Sequence, residues 1–237
     1  MSPRRGRFIT FEGLDGTGKS TQLNLLADHL IQKGIEVVAT RNPGGTPIGE
    51  RIRSILLDSR TSGLSALAEM GLMFADRAQH VEQVILPALA KGKFVLCDRY
   101  TDSSEAYQGY GRGLGSETVL AMHKLLCRDL WPDLTVLLTF GLESSIARAR
   151  SRNLRQIEAE QQDENRFEQE DREFYNRVAH GYSQIAKREA HRVAVISATG
   201  SIDFSHQQIV KIVEERFPEI SDSKKRATRR IQKQIAR

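Results

Sequence analysis

The segment Gly13-Leu14-Asp15-Gly16-Thr17-Gly18-Lys19-Ser20 constrains this 237-residue chain more tightly than any other. It fits G-x-x-x-x-G-K-[ST], which cradles phosphate only as a turn leaving a strand and opening a helix. Both neighbours are present. Residues 7–12 (RFITFE) are a β-rich run, and residues 19–33 carry Leu23, Leu26, Ala27 and Leu30 on one helical face before Gly34 stops them. In such a turn the glycines let backbone amides point inward around phosphate oxygens, and the helix start adds partial positive charge. Lys19 then sets an ammonium against the β- and γ-phosphates, while the Ser20 hydroxyl suits a magnesium ion.

The rest of the chain extends this strand–turn–helix unit. Residues 36–40 (EVVAT), 94–98 (FVLCD), 134–140 (LTVLLTF) and 193–197 (VAVIS) read as strands. Residues 48–57, 64–90, 118–126 and 202–217 read as helices, and Asn42-Pro43-Gly44-Gly45 as a turn. The strands are continuous apolar runs alternating with helices, which predicts an α/β fold: about five parallel strands covered on both faces. Residues 148–173 differ in kind. Arg148, Arg150, Arg152, Arg155, Arg166 and Arg172 mingle there with eight acidic residues and few apolar ones. The segment reads either as an exposed, salt-bridged helix or as a short mobile lid presenting arginines to phosphates.

Charge is unevenly spread. Residues 221–237 hold seven basic residues against Asp222 alone, a charge of +6 within a total of +5, so the preceding 220 residues sum to −1. We therefore expect one domain over residues 1–220 and a basic, solvated tail over 221–237, with nucleic acid not expected as the main partner. No apolar run approaches the ~20 residues of a membrane span, and no secretory signal is expected. Cys97 and Cys127, far apart in apolar surroundings, read as buried thiols in a reducing cytoplasm. The six histidines show no metal-ligand spacing.

The glycine turn does not identify an acceptor. A guanine-reading Asn-Lys-x-Asp segment is absent, as is the Gly-Pro-Gly common in the cradles of adenylate and cytidylate kinases. The central strand ends Asp98-Arg99-Tyr100, and an arginine directly after the acid suits an enzyme holding a second phosphate beside the first. Five segments then occur in order: Phe11 to Thr21, Thr40-Arg41-Asn42-Pro43-Gly44-Gly45-Thr46, Leu72-Met73-Phe74-Ala75-Asp76-Arg77, Asp98-Arg99-Tyr100 and Ala106-Tyr107-Gln108-Gly109. Together they resemble the thymidylate kinases over residues 7 to about 200.

The resemblance implies an ATP-dependent kinase that phosphorylates dTMP to dTDP in dTTP biosynthesis, with Mg2+ and as a homodimer. It implies ATP contacts from Gly13, Leu14, Asp15, Gly16, Thr17, Gly18, Lys19, Ser20 and Thr21, with Arg148 stacked on adenine. Arg41 and Arg99 would grip the acceptor phosphate, and Asp15 would lie near the sugar 3′-hydroxyl. Phe74 would stack on thymine, Arg77 and Gln108 would meet its edge, and Tyr107 would lie under the deoxyribose, with Ser104 beside them. Asp98, with Ser20, would hold the metal. The family commonly has Glu where Asn42 stands, so a carboxylate that would orient Arg41 is missing. No basic residue lies at positions 14–17, which points to the bacterial type with lid arginines; Arg152 and Arg166 are the expected ones. Two other readings stay open from the residues alone: a kinase of the same fold acting on another nucleoside or monophosphate, and a nucleotide-gated nucleic-acid binder using the tail.

Overall fold

The computed structural model describes residues 5–160 and 166–220, without the side chains of 152–160. Arg152 and Arg155, part of the charged segment and the basic tail therefore lie outside the described residues. Five strands, β1 (Phe8–Glu12), β2 (Val37–Arg41), β3 (Phe94–Asp98), β4 (Leu134–Thr139) and β5 (Val193–Ser197), form one parallel sheet in the order β2-β3-β1-β4-β5. β1, at its centre, is buried along its whole length.

One face is covered by α1 (Lys19–Gln32) and α9 (Ile202–Arg216), whose Leu23, Leu26, Leu30, Ile209 and Val213 pack on Ile9, Phe11, Leu96 and Val136. The other face carries the remaining helices. α2 (Pro47–Leu57) starts as its sequence dictates, with Thr46 capping Gly49 N–H and Pro47 in the first turn. α3 (Ala66–His80) is capped by Ser65 and runs through a π-helical turn, Val81–Ile85, into α4 (Leu86–Ala90). α6 (Ser116–Leu126) and α7 (Leu142–Glu160) follow β3 and β4. The charged segment expected as a lid is thus the far half of α7, a short 3-10 turn at Phe167–Gln169 and the start of the next helix.

Two helical segments go beyond the sequence reading. Residues 101–111, where Tyr107 and Gln108 would ordinarily be taken as loop, form α5 (Thr101–Ser104) and a π-helical continuation, Glu105–Gly111. Almost every side chain there is buried, so no polar face alternates with an apolar one and the helical period is invisible. α8 (Arg172–Arg188), capped by Asp171, seats Phe174, Tyr175, Val178, Tyr182 and Ile185 against that segment.

Because every strand is parallel, all five C-terminal ends lie at one edge. In register, Asp98 pairs with Phe11 on one side and Arg41 on the other. The glycine turn after β1, the Asn42–Pro43 turn after β2 and Arg99 after β3 are therefore neighbours. This is the edge at which open α/β sheets bind ligands.

Candidate active site

A cavity of about 750 Å³ opens along this edge. Asp15, Gly16, Gly18, Lys19, Ser20 and Thr21 border it at one end, and Arg41, Ser104, Tyr107 and Gln108 at the other, with Asp98 and Arg99 between. Its volume lies in the range of small-molecule sites.

The donor end is built by the turn itself. Lys19 is folded back, with Nζ donating to Leu14 O at 2.9 Å and lying 3.8 Å from Asp15 Oδ1. Thr17 Oγ1 donates to the same carbonyl at 2.8 Å, which tightens the loop. Gly16, at φ +79°, lies so close to α7 that a Cβ would stand 2.3 Å from Ser145 O, so no larger residue fits. Arg148, on the same helix, borders the cavity with its guanidinium 4.0 Å above the Phe140 ring. Ser20 Oγ donates to Asp98 Oδ2 at 2.5 Å, while Asp98 Oδ1 is buried without a hydrogen-bond partner. An all-oxygen pair with one unsatisfied carboxylate oxygen fits a hard divalent cation.

Between the two ends sits Arg99, a non-glycine residue in the left-handed region at φ 67°. Its backbone is pinned on both sides: its own N–H donates to Phe11 O at 2.9 Å, and Tyr100 N–H donates to Glu12 Oε1 at 2.7 Å. Nη2 lies 2.8 Å from Asp15 Oδ1. Nη1 donates to Ser103 Oγ at 3.0 Å and Tyr182 Oη at 3.3 Å. Both hydroxyls donate to Glu12 Oε2. Burial, and after it the charge of Asp102, pushes the Glu12 carboxyl up to about 7.

At the acceptor end Arg41 pairs with Glu50 at 2.8 Å, so Glu50 holds this arginine and residue 42 does not. Asn42 turns inward. Its amide donates to Asp76 Oδ2, and its carbonyl accepts from Arg77 Nε at 2.8 Å. Arg77 Nη2 donates to Ser104 Oγ at 2.9 Å, and Nη1 has no partner. The guanidinium lies 4.7 Å from the Phe74 ring centre and 5.4 Å from that of Tyr100. Neither Arg77 nor Phe74 borders the cavity; both are buried, Phe74 completely. The α3 side chain that borders the cavity is Met73, one position before Phe74 and about 100° round the helix from it.

Arg166 does not border the cavity either. Its Nε donates to Leu56 O, and its Nη1 pairs with Glu69 at 2.8 Å. Glu69, itself buried, also takes hydrogen bonds from Gln108 Nε2 and Arg112. Residues around the cavity that escaped the sequence reading include Arg53, Met73, Ser103 and Phe167. Arg53 carried a signal, a basic residue on the helix that follows the Pro-Gly-Gly turn; the others carried none.

The family model described as thymidylate kinase matches residues 11–209. A thymidylate kinase of Desulfovibrio desulfuricans is 47% identical over 194 residues, covering 81% of this chain and 88% of that protein. One of Solidesulfovibrio magneticus is 49% identical over 196 residues, covering 83% and 93%. The crystal structure of thymidylate kinase from Ehrlichia chaffeensis superposes with a TM-score of 0.69 at 34% identity, covering 89% of this chain and 99% of that one.

Proposed function

The chain belongs to the thymidylate kinase family, whose members use ATP to phosphorylate dTMP to dTDP on the way to dTTP, and we propose that it joins the two nucleotides end to end across the Asp15–Arg99 pair. One observation carries this reading. Arg99 reaches Asp15 at 2.8 Å, so the arginine available to an acceptor phosphate touches the loop available to the donor phosphates.

In this reading ATP lies on residues 13–21, with its γ-phosphoryl group against Lys19 and its adenine over Arg148. The dTMP phosphate meets Arg41 and Arg99, where the planar guanidinium fork matches phosphate oxygens. Tyr107 and Ser104 flank the sugar, Gln108 meets the base, and Met73 supplies an apolar wall beside it. The attacking oxygen already belongs to a phosphate monoester, so no strong general base is needed. Alignment and charge neutralisation do the work. Ser20 and Asp98 are the residues that would hold Mg2+, which when bound draws negative charge from the β- and γ-phosphate oxygens.

We further propose a cytoplasmic homodimer. Cys97 and Cys127 are buried free thiols, as suits a reducing compartment. Among the described residues no helix is long and apolar enough to cross a membrane. Ile48 and Ile55 on α2, Leu67 on α3 and Leu125 on α6 are exposed apolar side chains that a second copy could cover.

Steady-state kinetics of Arg99→Ala and Arg41→Ala test the assignment. Both should raise KM for dTMP by tenfold or more, as an order of magnitude, with KM for ATP nearly unchanged. Equal losses for both substrates would contradict it.

A further inference from the structure

We propose that Tyr182, on α8, is a positioning residue for Arg99: its hydroxyl, backed by Glu12 and Ser103, holds the guanidinium in one pose at the junction of the two substrate ends. The inference rests on the reading of Arg99 as the acceptor clamp.

An arginine side chain has many rotamers to lose, and a clamp that must find its pose anew in each cycle loses alignment. Arg99 is fixed at both terminal nitrogens. Asp15 holds Nη2, while Ser103 Oγ and Tyr182 Oη hold Nη1 at 3.0 and 3.3 Å. Those hydroxyls lie 2.9 Å apart, and each also reaches Glu12 Oε2.

The proton count gives the network its direction. A hydroxyl has one proton to donate and two lone pairs. Above about pH 7, where Glu12 is ionised, it only accepts, so it draws both hydroxyl protons toward itself and leaves the lone pairs of Ser103 and Tyr182 facing Nη1. The same carboxylate accepts Tyr100 N–H, so it fixes the left-handed backbone that aims Arg99 as well as its far end.

Tyr182 arrives from 79 residues beyond Ser103 and 170 beyond Glu12. Its ring is buried beside Tyr107, with centroids 6.4 Å apart. A phenylalanine would keep that packing and lose only the hydroxyl.

The test is a double-mutant cycle in steady-state kinetics, varying dTMP and ATP separately. Tyr182→Phe should lower kcat/KM for dTMP by about tenfold, the scale of one hydrogen bond to a charged group, with KM for ATP moving less than about twofold. In an Arg99→Ala background the same substitution should change kcat/KM by less than about twofold, because the group it positions is gone. If Arg99→Ala damages acceptor kinetics but Tyr182→Phe is inert, or is equally harmful in both backgrounds, the inference is overturned while the Arg99 reading stands. If Arg99→Ala leaves acceptor kinetics unchanged, both fail. Should Tyr182→Phe lower the thermal transition markedly, Ser103→Ala, which removes the other hydroxyl on Nη1, carries the same cycle with the same expected outcome.

Discussion

Arg99 Nη2 stands 2.8 Å from Asp15 Oδ1, so a carboxylate inside the glycine turn and a guanidinium 84 residues later form one ion pair. Asp15 also lies 3.8 Å from Lys19 Nζ, which places it between the cations of both substrate ends. Asp15→Asn keeps the shape and removes the charge. Arg99 stays available to an acceptor phosphate, but its pose and that of Lys19 loosen. We expect kcat to fall by about ten- to a hundredfold while the dissociation constant for dTMP moves by less than about fivefold. Kinetics paired with calorimetric titration of dTMP would check this; a loss confined to binding would assign Asp15 a different role.

Asn42 bridges Asp76 and Arg77, and the first of these would tolerate a second carboxylate poorly. Burial pushes the Asp76 carboxyl up to about 6, and Asn42 donates to it from inside the protein. Asn42→Asp would set two acids against each other, with only Arg77 Nε to offset the second charge. A buried acid with a raised pKa is tolerated when protonated and becomes costly as pH rises through that pKa. The deficit of the variant should therefore be small at pH 5 and grow to about 2 kcal/mol at pH 8, an order-of-magnitude value. Thermal melts at both values decide it, and a pH-independent deficit would point to simple loss of packing.

How much of this was readable beforehand follows from the range of each interaction. The phosphate turn was readable because its parts are contiguous, and the strands because burial on both faces leaves unbroken apolar runs. Arg99 stood out by its place directly after the strand-ending Asp98, whereas Arg41 stood out only through resemblance. Phe74 and Met73 show how much one position matters on a helix: Phe74 is wholly buried, while Met73 borders the cavity. The network behind Arg99 was invisible, because Glu12, Ser103 and Tyr182 meet only once β1, α5 and α8 are packed.

Gly111 marks a close approach of α8 to the π-helical segment after α5. A Cβ there would come within 2.7 Å of Phe174 Cε2 and 2.9 Å of Val178 Cγ2, both in α8. Gly111→Ala must push α8 outward or displace the Phe174 ring, which overpacking data place at about 1–3 kcal/mol. Tyr182 shares that helix, so acceptor kinetics should weaken along with the melting temperature. A variant that melts like the parent would show that the interface gives way at no cost.

His123 supplies the clearest reading on acid. Its ring is fully buried, accepts or donates at Thr101 Oγ1 through Nδ1 at 2.8 Å, and lies 4.1 Å from the centre of Trp131. Burial first, and the nearby Arg77 charge second, pull its pKa down to about 4, against the opposing pull of Asp129. The unfolded chain takes up this proton near pH 6.5 and the folded chain only near 4. Stability from this group is therefore complete above 6.5 and is lost as pH falls toward 4, by up to about 3 kcal/mol for a gap of that size. Trp131 is the only tryptophan, so tryptophan emission comes from this one site, where Asp129 accepts the indole N–H and Arg192 lies over the ring. The emission should stay level as pH falls through 6.5 and be quenched by the imidazolium only near 4, and His123→Gln should remove that step. Quenching centred at 6.5 in the folded protein would mean that the ring meets water and that α6 packs against Trp131 more loosely than a 4.1 Å ring separation allows.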